Sequence, residues 1–150
     1  MSVIADPREA ILNRVLAIAK SIVGETHAFR NSIDVPEELK PAIAILDADE
    51  EVQDSAFGRK RPANAPLIVG LLPEIWLITS AKSKNVGGEI HSLKKRILKG
   101  ILTDSTLLAL CHDGEVRYEG ILTGLANGRG MVGQAQMLIR FMYVLHPAAL

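Results

Sequence analysis

The chain has 150 residues, with 17 Lys plus Arg balanced by 17 Asp plus Glu, so its formal net charge is zero. At 48% hydrophobic and 23% charged residues it is too apolar and too neutral for a disordered chain. Neutrality also argues against a protein that lives mainly on phosphate backbone, because such domains are markedly basic. The length suits a single domain over 1–150, which buries about two-thirds of the surface its unfolded chain exposes.

The opening segment predicts a helix. Asp6 is placed to cap it, Pro7 to occupy its first position, and Glu9 follows three residues after the cap. Ile11, Leu12, Val15, Leu16, Ala19, Ile22 and Val23 recur at helical spacing as a stripe that needs a sheet to cover, and Gly24 is the natural stop. Short strands are expected around Thr26–Arg30 and Pro41–Asp47. From Ala48 to Pro66 no apolar period survives, so a long mobile loop is expected at about 48–66, acidic first and basic second. Leu67–Ala81 returns to strand character, with Pro73 marking a bulge or an edge.

Gly88–Leu102 predicts a second amphipathic helix, buried through Ile90, Leu93, Ile97 and Ile101, with Lys94, Lys95, Arg96 and Lys99 on its wetter side. A short helical turn at Thr106–Leu110 should follow. A β-hairpin closes the order, with arms Val116–Thr123 and Gln134–Leu145 around a glycine-rich turn at Asn127–Gly133. In the final arm Ala135, Met137, Ile139, Phe141, Tyr143 and Leu145 share one face by period two. The expected class is α+β: a mainly antiparallel sheet packed with two amphipathic helices and ending in a C-terminal β-hairpin.

The single cysteine, Cys111, has no internal disulfide partner, and the first residues lack a basic segment followed by an apolar core. Folding in a cytoplasm without a secretory signal or a membrane span is therefore the expectation.

Few residue patterns point to chemistry. Gly128-Arg129-Gly130-Met131-Val132-Gly133 matches a dinucleotide fingerprint, but a strand pattern follows where a helix is required, and no acidic residue lies between Gly133 and Leu150. A hairpin needing positive φ at two or three positions accounts for the glycines. Cys111-His112-Asp113 places a nucleophile, a base and an acid in a row, yet neighbours on one chain seldom face a common centre. His27, His91, His112 and His146 are too scattered for metal-ligand spacing. Asp47, Asp49 and Glu51 match the first half of a calcium loop that lacks its glycine and its closing glutamate, which is Gly58 here. The basic runs Arg59–Arg61 and Lys94–Lys99 have no aromatic stacking platform beside them. No catalytic, cofactor-binding or metal-binding residue is assigned from these patterns.

Across nearly its full length the chain resembles the tail terminator, or tail-completion, proteins of long-tailed bacteriophages, a family also described as minor tail proteins. The likeness is carried by Asp6–Val23 leading to His27-Ala28-Phe29-Arg30-Asn31, by Pro41–Glu50, and by Leu72-Pro73-Glu74-Ile75-Trp76. It continues through Ile90–Ile101 before Thr103-Asp104, Val116–Gly120, Gly128–Gly133, and the closing strand that reaches Tyr143–Pro147. The resemblance implies a virion structural subunit, assembled in the bacterial host cytoplasm, that forms a six-membered ring on the head-proximal end of the tail tube. Such a ring ends tube polymerisation and joins the neck. Its partners would be copies of itself, the tail tube protein and a neck or head-completion protein, with DNA passing through the lumen without sequence recognition and with no enzyme activity. A different neck or head-completion connector of the same particle is the alternative. The residues expected to make contacts are the two charged blocks of the loop, Asp47, Asp49, Glu50, Glu51 and Asp54 on one side and Arg59, Lys60 and Arg61 on the other.

Overall fold

The computed structural model describes residues 4–53, 62–123 and 133–150. Helix α1 runs Arg8–Val23, one residue later than the sequence predicts, with Pro7 as the cap residue. Asp6 still serves the helix start, because its Oδ1 accepts the Arg8 backbone N–H at 3.1 Å. Ile11, Leu12, Val15 and Ala19 are fully buried, and Ile18, outside the stripe read from the sequence, joins them. Gly24 ends the helix at φ 106° and ψ 154°, a backbone conformation open essentially to glycine alone.

Five strands form one sheet in the order β1-β2-β3-β5-β4. They are β1 (Ala28–Arg30), β2 (Ala42–Gln53), β3 (Leu67–Ile78), β4 (Val116–Leu122) and β5 (Gln134–Leu145). Only β1 and β2 run parallel; the remaining pairs are antiparallel. The class is thus α+β, as the sequence predicts. The hairpin arms β4 and β5 pair as expected, while their turn at 124–132 lies outside the described residues. No helix among the described residues is long and apolar enough to cross a membrane.

The main correction concerns residues 48–53, expected as loop. They continue β2 for six residues beyond Asp47. Leu46 pairs with Glu74, but Asp49 pairs with Leu72, so Asp47 and Ala48 together oppose Pro73 in a β-bulge. Pro73 itself is buried in a central strand, and its missing N–H interrupts the ladder to β5, where Leu72 and Pro73 have no paired residue and the register does not shift. A second bulge, between Tyr118 and Gly120, lies across β5 at the level of Leu138 and Ile139.

Helix α2 (Val86–Thr103) and helix α3 (Ser105–Leu110) cover the same sheet face as α1. The stripe Ile90, Leu93, Ile97 and Ile101 is buried as its spacing predicts. The Asn85 side chain caps α2 by accepting from the Gly88 N–H. Asp104 has two duties: its Oδ2 accepts the Leu107 N–H at 2.8 Å to cap α3, and both oxygens bind the Arg14 guanidinium at 2.7–2.8 Å, tying α1 to the α2–α3 junction. The core between sheet and helices includes Ile43, Ile45, Leu71, Ile75, Leu77, Met137, Ile139, Phe141 and Tyr143. On the opposite face a small cluster of Ala42, Ala44 and Ile78, flanked by Phe29, Val35 and Trp76, covers one end only.

The last glycine of the 128–133 run has a backbone reason to be glycine. Gly133 has φ 72°, its carbonyl accepts the Thr79 N–H at 2.7 Å, and an added Cβ would run into the Thr79 carbonyl oxygen. The strand β5 follows it directly, so the helix that a dinucleotide site requires is absent at this position. Gly133→Ala should lower stability by about 2 kcal/mol or more, through positive φ and the forced separation of β3 from β5. Urea midpoints of the two proteins check this; an unchanged midpoint contradicts it.

Candidate assembly surface

The bulge in β2 decides where the acidic residues point. Before it, Ile43 and Ile45 face the helices opposite Leu77 and Ile75. After it, Glu50 and Val52 lie opposite Leu71 and Val69 on the helix side, whereas Asp49, Glu51 and Gln53 lie opposite Leu72, Gly70 and Ile68 on the bare side. The acidic block expected as one patch is therefore divided between two faces.

Each carboxylate has its own surroundings. Asp47, at the bulge, binds Arg30 through Nε at 3.0 Å and Nη2 at 2.9 Å, and its backbone N–H donates to Asn31 Oδ1 at 2.7 Å. Arg30 also binds Glu9 of α1 through two hydrogen bonds, which fastens helix, edge strand and bulge together. These bonds hold both the Glu9 and Asp47 carboxyls below the usual carboxylate range. Glu50 accepts from the Tyr143 hydroxyl at 2.6 Å and from Arg8 Nη1 at 2.9 Å, and its carboxyl is lowered as well, chiefly by the tyrosine bond. Glu51 meets Arg140 at 3.2 Å, and Arg140 Nε also reaches Glu119 at 3.1 Å. Gly70 leaves the passage for this arginine, since a Cβ there would stand 3.3 Å from Arg140 Nη1. Asp49 is exposed and has no partner among the described residues. Asp54, Arg59, Lys60 and Arg61, the rest of the predicted contact set, lie outside the described residues.

The bare face carries a feature that the sequence reading missed. Beside the bulge a cleft of about 560 Å³ opens, walled by Leu72, Pro73 and Leu138 and rimmed by Asp49 and Glu74. Glu74 lies on this face between Leu46 and Leu138, and like Asp49 it has no partner among the described residues. Pro73 inside an apolar run was the signal for the bulge; pairing of Asp47 and Ala48 against it is a property of the sheet.

The Cys111-His112-Asp113 run does not assemble into a nucleophilic site. Cys111 is 7% exposed, and burial pushes its thiol up to about 11. His112 Nε2 approaches Asp113 at 3.4 Å, but among the described residues no hydrogen bond joins either side chain to the thiol. Asp113, at φ 52°, occupies a tight turn beside Gly114. No group of three or more His, Cys, Asp and Glu side chains among the described residues is arranged to hold a metal ion. No family model matches the chain, and no curated protein is significantly similar to it.

Because Glu9, Asp47, Glu50 and Asp104 have lowered folded-state pKa values, the unfolded chain binds their protons first on acidification. Their stabilising contribution is fully present above the unfolded value of about 4 and is lost as pH falls through the folded values. Urea midpoints measured across the acid range should fall below about pH 4, and Asp47→Asn should flatten that limb; an identical slope in the variant contradicts the assignment. The Cys111 thiol should react at neutral pH at least about a hundredfold more slowly than a free cysteine, with a rate that climbs toward pH 11. Rapid labelling of the folded protein near neutrality would restore the nucleophile reading.

Proposed function

We propose that this chain is a structural subunit of a bacteriophage virion that closes the head-proximal end of a long tail tube as a ring of copies, ending tube polymerisation and offering the joining surface to the neck. The observation that carries the reading is a sheet with helices on one face only. The bare face leaves Leu122 59% exposed and Leu46, Leu72 and Leu138 half-buried, apolar surface that a neighbouring subunit can cover. Of the segments that carry the family likeness, Arg8–Val23 forms α1, Ala42–Glu50 lies in β2, Ile90–Ile101 in α2 and Val116–Gly120 in β4, while residues 128–132 lie outside the described residues. The described surroundings of Cys111 favour a structural role over catalysis, because a buried protonated thiol is a poor nucleophile.

A ring requires a heterologous contact, one patch against a different patch on the next copy. In this reading the chain acts by geometry, with the tube protein below, the neck protein above and DNA free to pass through the lumen.

Mixing the purified chain with tail tubes should give six-membered rings at one tube end under the electron microscope, and tubes so treated should stop elongating. A single-copy mass by light scattering, both free and with tubes, overturns the proposal. A subunit that binds the portal and leaves tube ends bare transfers it to a neck or head-completion connector.

A further inference from the structure

The two broad faces of the molecule carry opposite charge. On α2, Lys94, Lys95, Arg96 and Lys99 stand against the single carboxylate Glu89, and the helix buries the opposite stripe on the sheet. Lys95, Arg96 and Lys99 are exposed, and Lys94, Lys95 and Lys99 form no ion pair among the described residues. On the bare sheet face the strands present four carboxylates, Asp49, Glu51, Glu74 and Glu119, and two guanidiniums, Arg117 and Arg140. Arg140 is already held by Glu51 and Glu119, and Arg117 by Glu115, which leaves Asp49 and Glu74 as the unsatisfied charges at the cleft.

We infer that the bare sheet face is the docking site for α2 of a second copy of this chain, with Lys95 and Lys99 of one copy entering the cleft rimmed by Asp49 and Glu74 of the next. Charge complementarity selects this occupant. Among the described residues α2 carries a cationic excess and the bare face an anionic one, and a head-to-tail contact brings the two together. The cleft also suits lysine chemistry. Leu72 and Leu138 take the aliphatic stem, while the carboxylates at the rim meet the ammonium. Leu102, 41% exposed near the end of α2, adds apolar surface to the docking side. Because the helices and the bare face lie on opposite sides of one sheet, the contact is heterologous, and copies repeat it in one direction.

This inference rests on the ring reading for its biological setting, but its test is independent of tube ends. Self-association of the full-length chain is followed by sedimentation in about 50 mM and about 500 mM salt, where screening separates charge-driven from apolar contact. Wild type should associate at low salt and weaken at high salt. Lys95→Glu with Lys99→Glu, and separately Asp49→Lys with Glu74→Lys, should each weaken association by roughly a hundredfold through like-charge contact. Mixing the two double variants should restore it, because each then offers the surface that the other lacks. Circular dichroism confirms that each variant is folded, and Asp49→Asn with Glu74→Gln supplies a milder pair if charge reversal perturbs the sheet. A wild type that stays monomeric, variants that associate like wild type, or a mixture that fails to recover each overturns the inference. Rings that cap tubes despite both charge reversals would sink this interface and leave the tail-end reading standing. Charge-swapped association without binding to tube ends would do the reverse.

Discussion

A bulge in an interior strand governs much of this molecule. Where β2 passes Pro73 it carries one additional residue, Asp47-Ala48 against Pro73. That single residue reverses the phase of everything after it. Had the register of Ile43 and Ile45 continued, Asp49 and Glu51 would have pointed into the helical layer and Glu50 away from it. With the bulge, only Glu50 and Val52 face the helices, and Glu50 has the Tyr143 hydroxyl and Arg8 to receive it. The charged run is thereby made compatible with a strand, and the carboxylates available for contact are gathered on the bare face.

The same bulge is where the elements are fastened. Arg30, on the short edge strand, reaches Glu9 on α1 and Asp47 at the bulge, so a three-residue strand with little burial of its own is held by a fork of charged hydrogen bonds. At the other end of the helical layer, Arg14 and Asp104 do comparable work between α1 and the start of α3. These contacts are partly exposed, so their value lies in orienting elements whose stability comes from the apolar core. On the bare face, Glu51, Arg140 and Glu119 tie β2, β5 and β4 together over Gly70, which leaves Asp49 and Glu74 as the charges still seeking a partner. In the proposed contact between copies these two carboxylates are the ones that receive the partner's lysines. The lysines of α2 supply the complementary sign.

Local pattern was enough for most of the elements. The stripe Ile90, Leu93, Ile97 and Ile101 and the alternation from Ala135 to Leu145 appear in the structure as their periods predict, because burial on one face of a helix or strand imposes that spacing. The stretch after Asp47 carries no apolar period, so local pattern predicts a loop there. In straight register Asp47, Asp49 and Glu51 would lie on the core side, and the bulge is what makes a strand compatible with them. The division of the candidate contact residues between two faces was invisible for the same cause, and the cleft was invisible because Glu74 joins it from another strand.

Sequence by itself determined the α+β class, the helices and their buried stripes, the closing hairpin and the neutrality of the chain, since each depends on local spacing or on composition. Tertiary structure alone decided the order β1-β2-β3-β5-β4, the parallel edge pair and the placing of the extra residue in β2 rather than in the strand that holds Pro73. It also decided that the lysines of α2 and the carboxylates Asp49 and Glu74 lie on opposite sides of one sheet. Those depend on which strands become neighbours and on the phase between them, and a one-residue shift in pairing changes the face of every side chain beyond it.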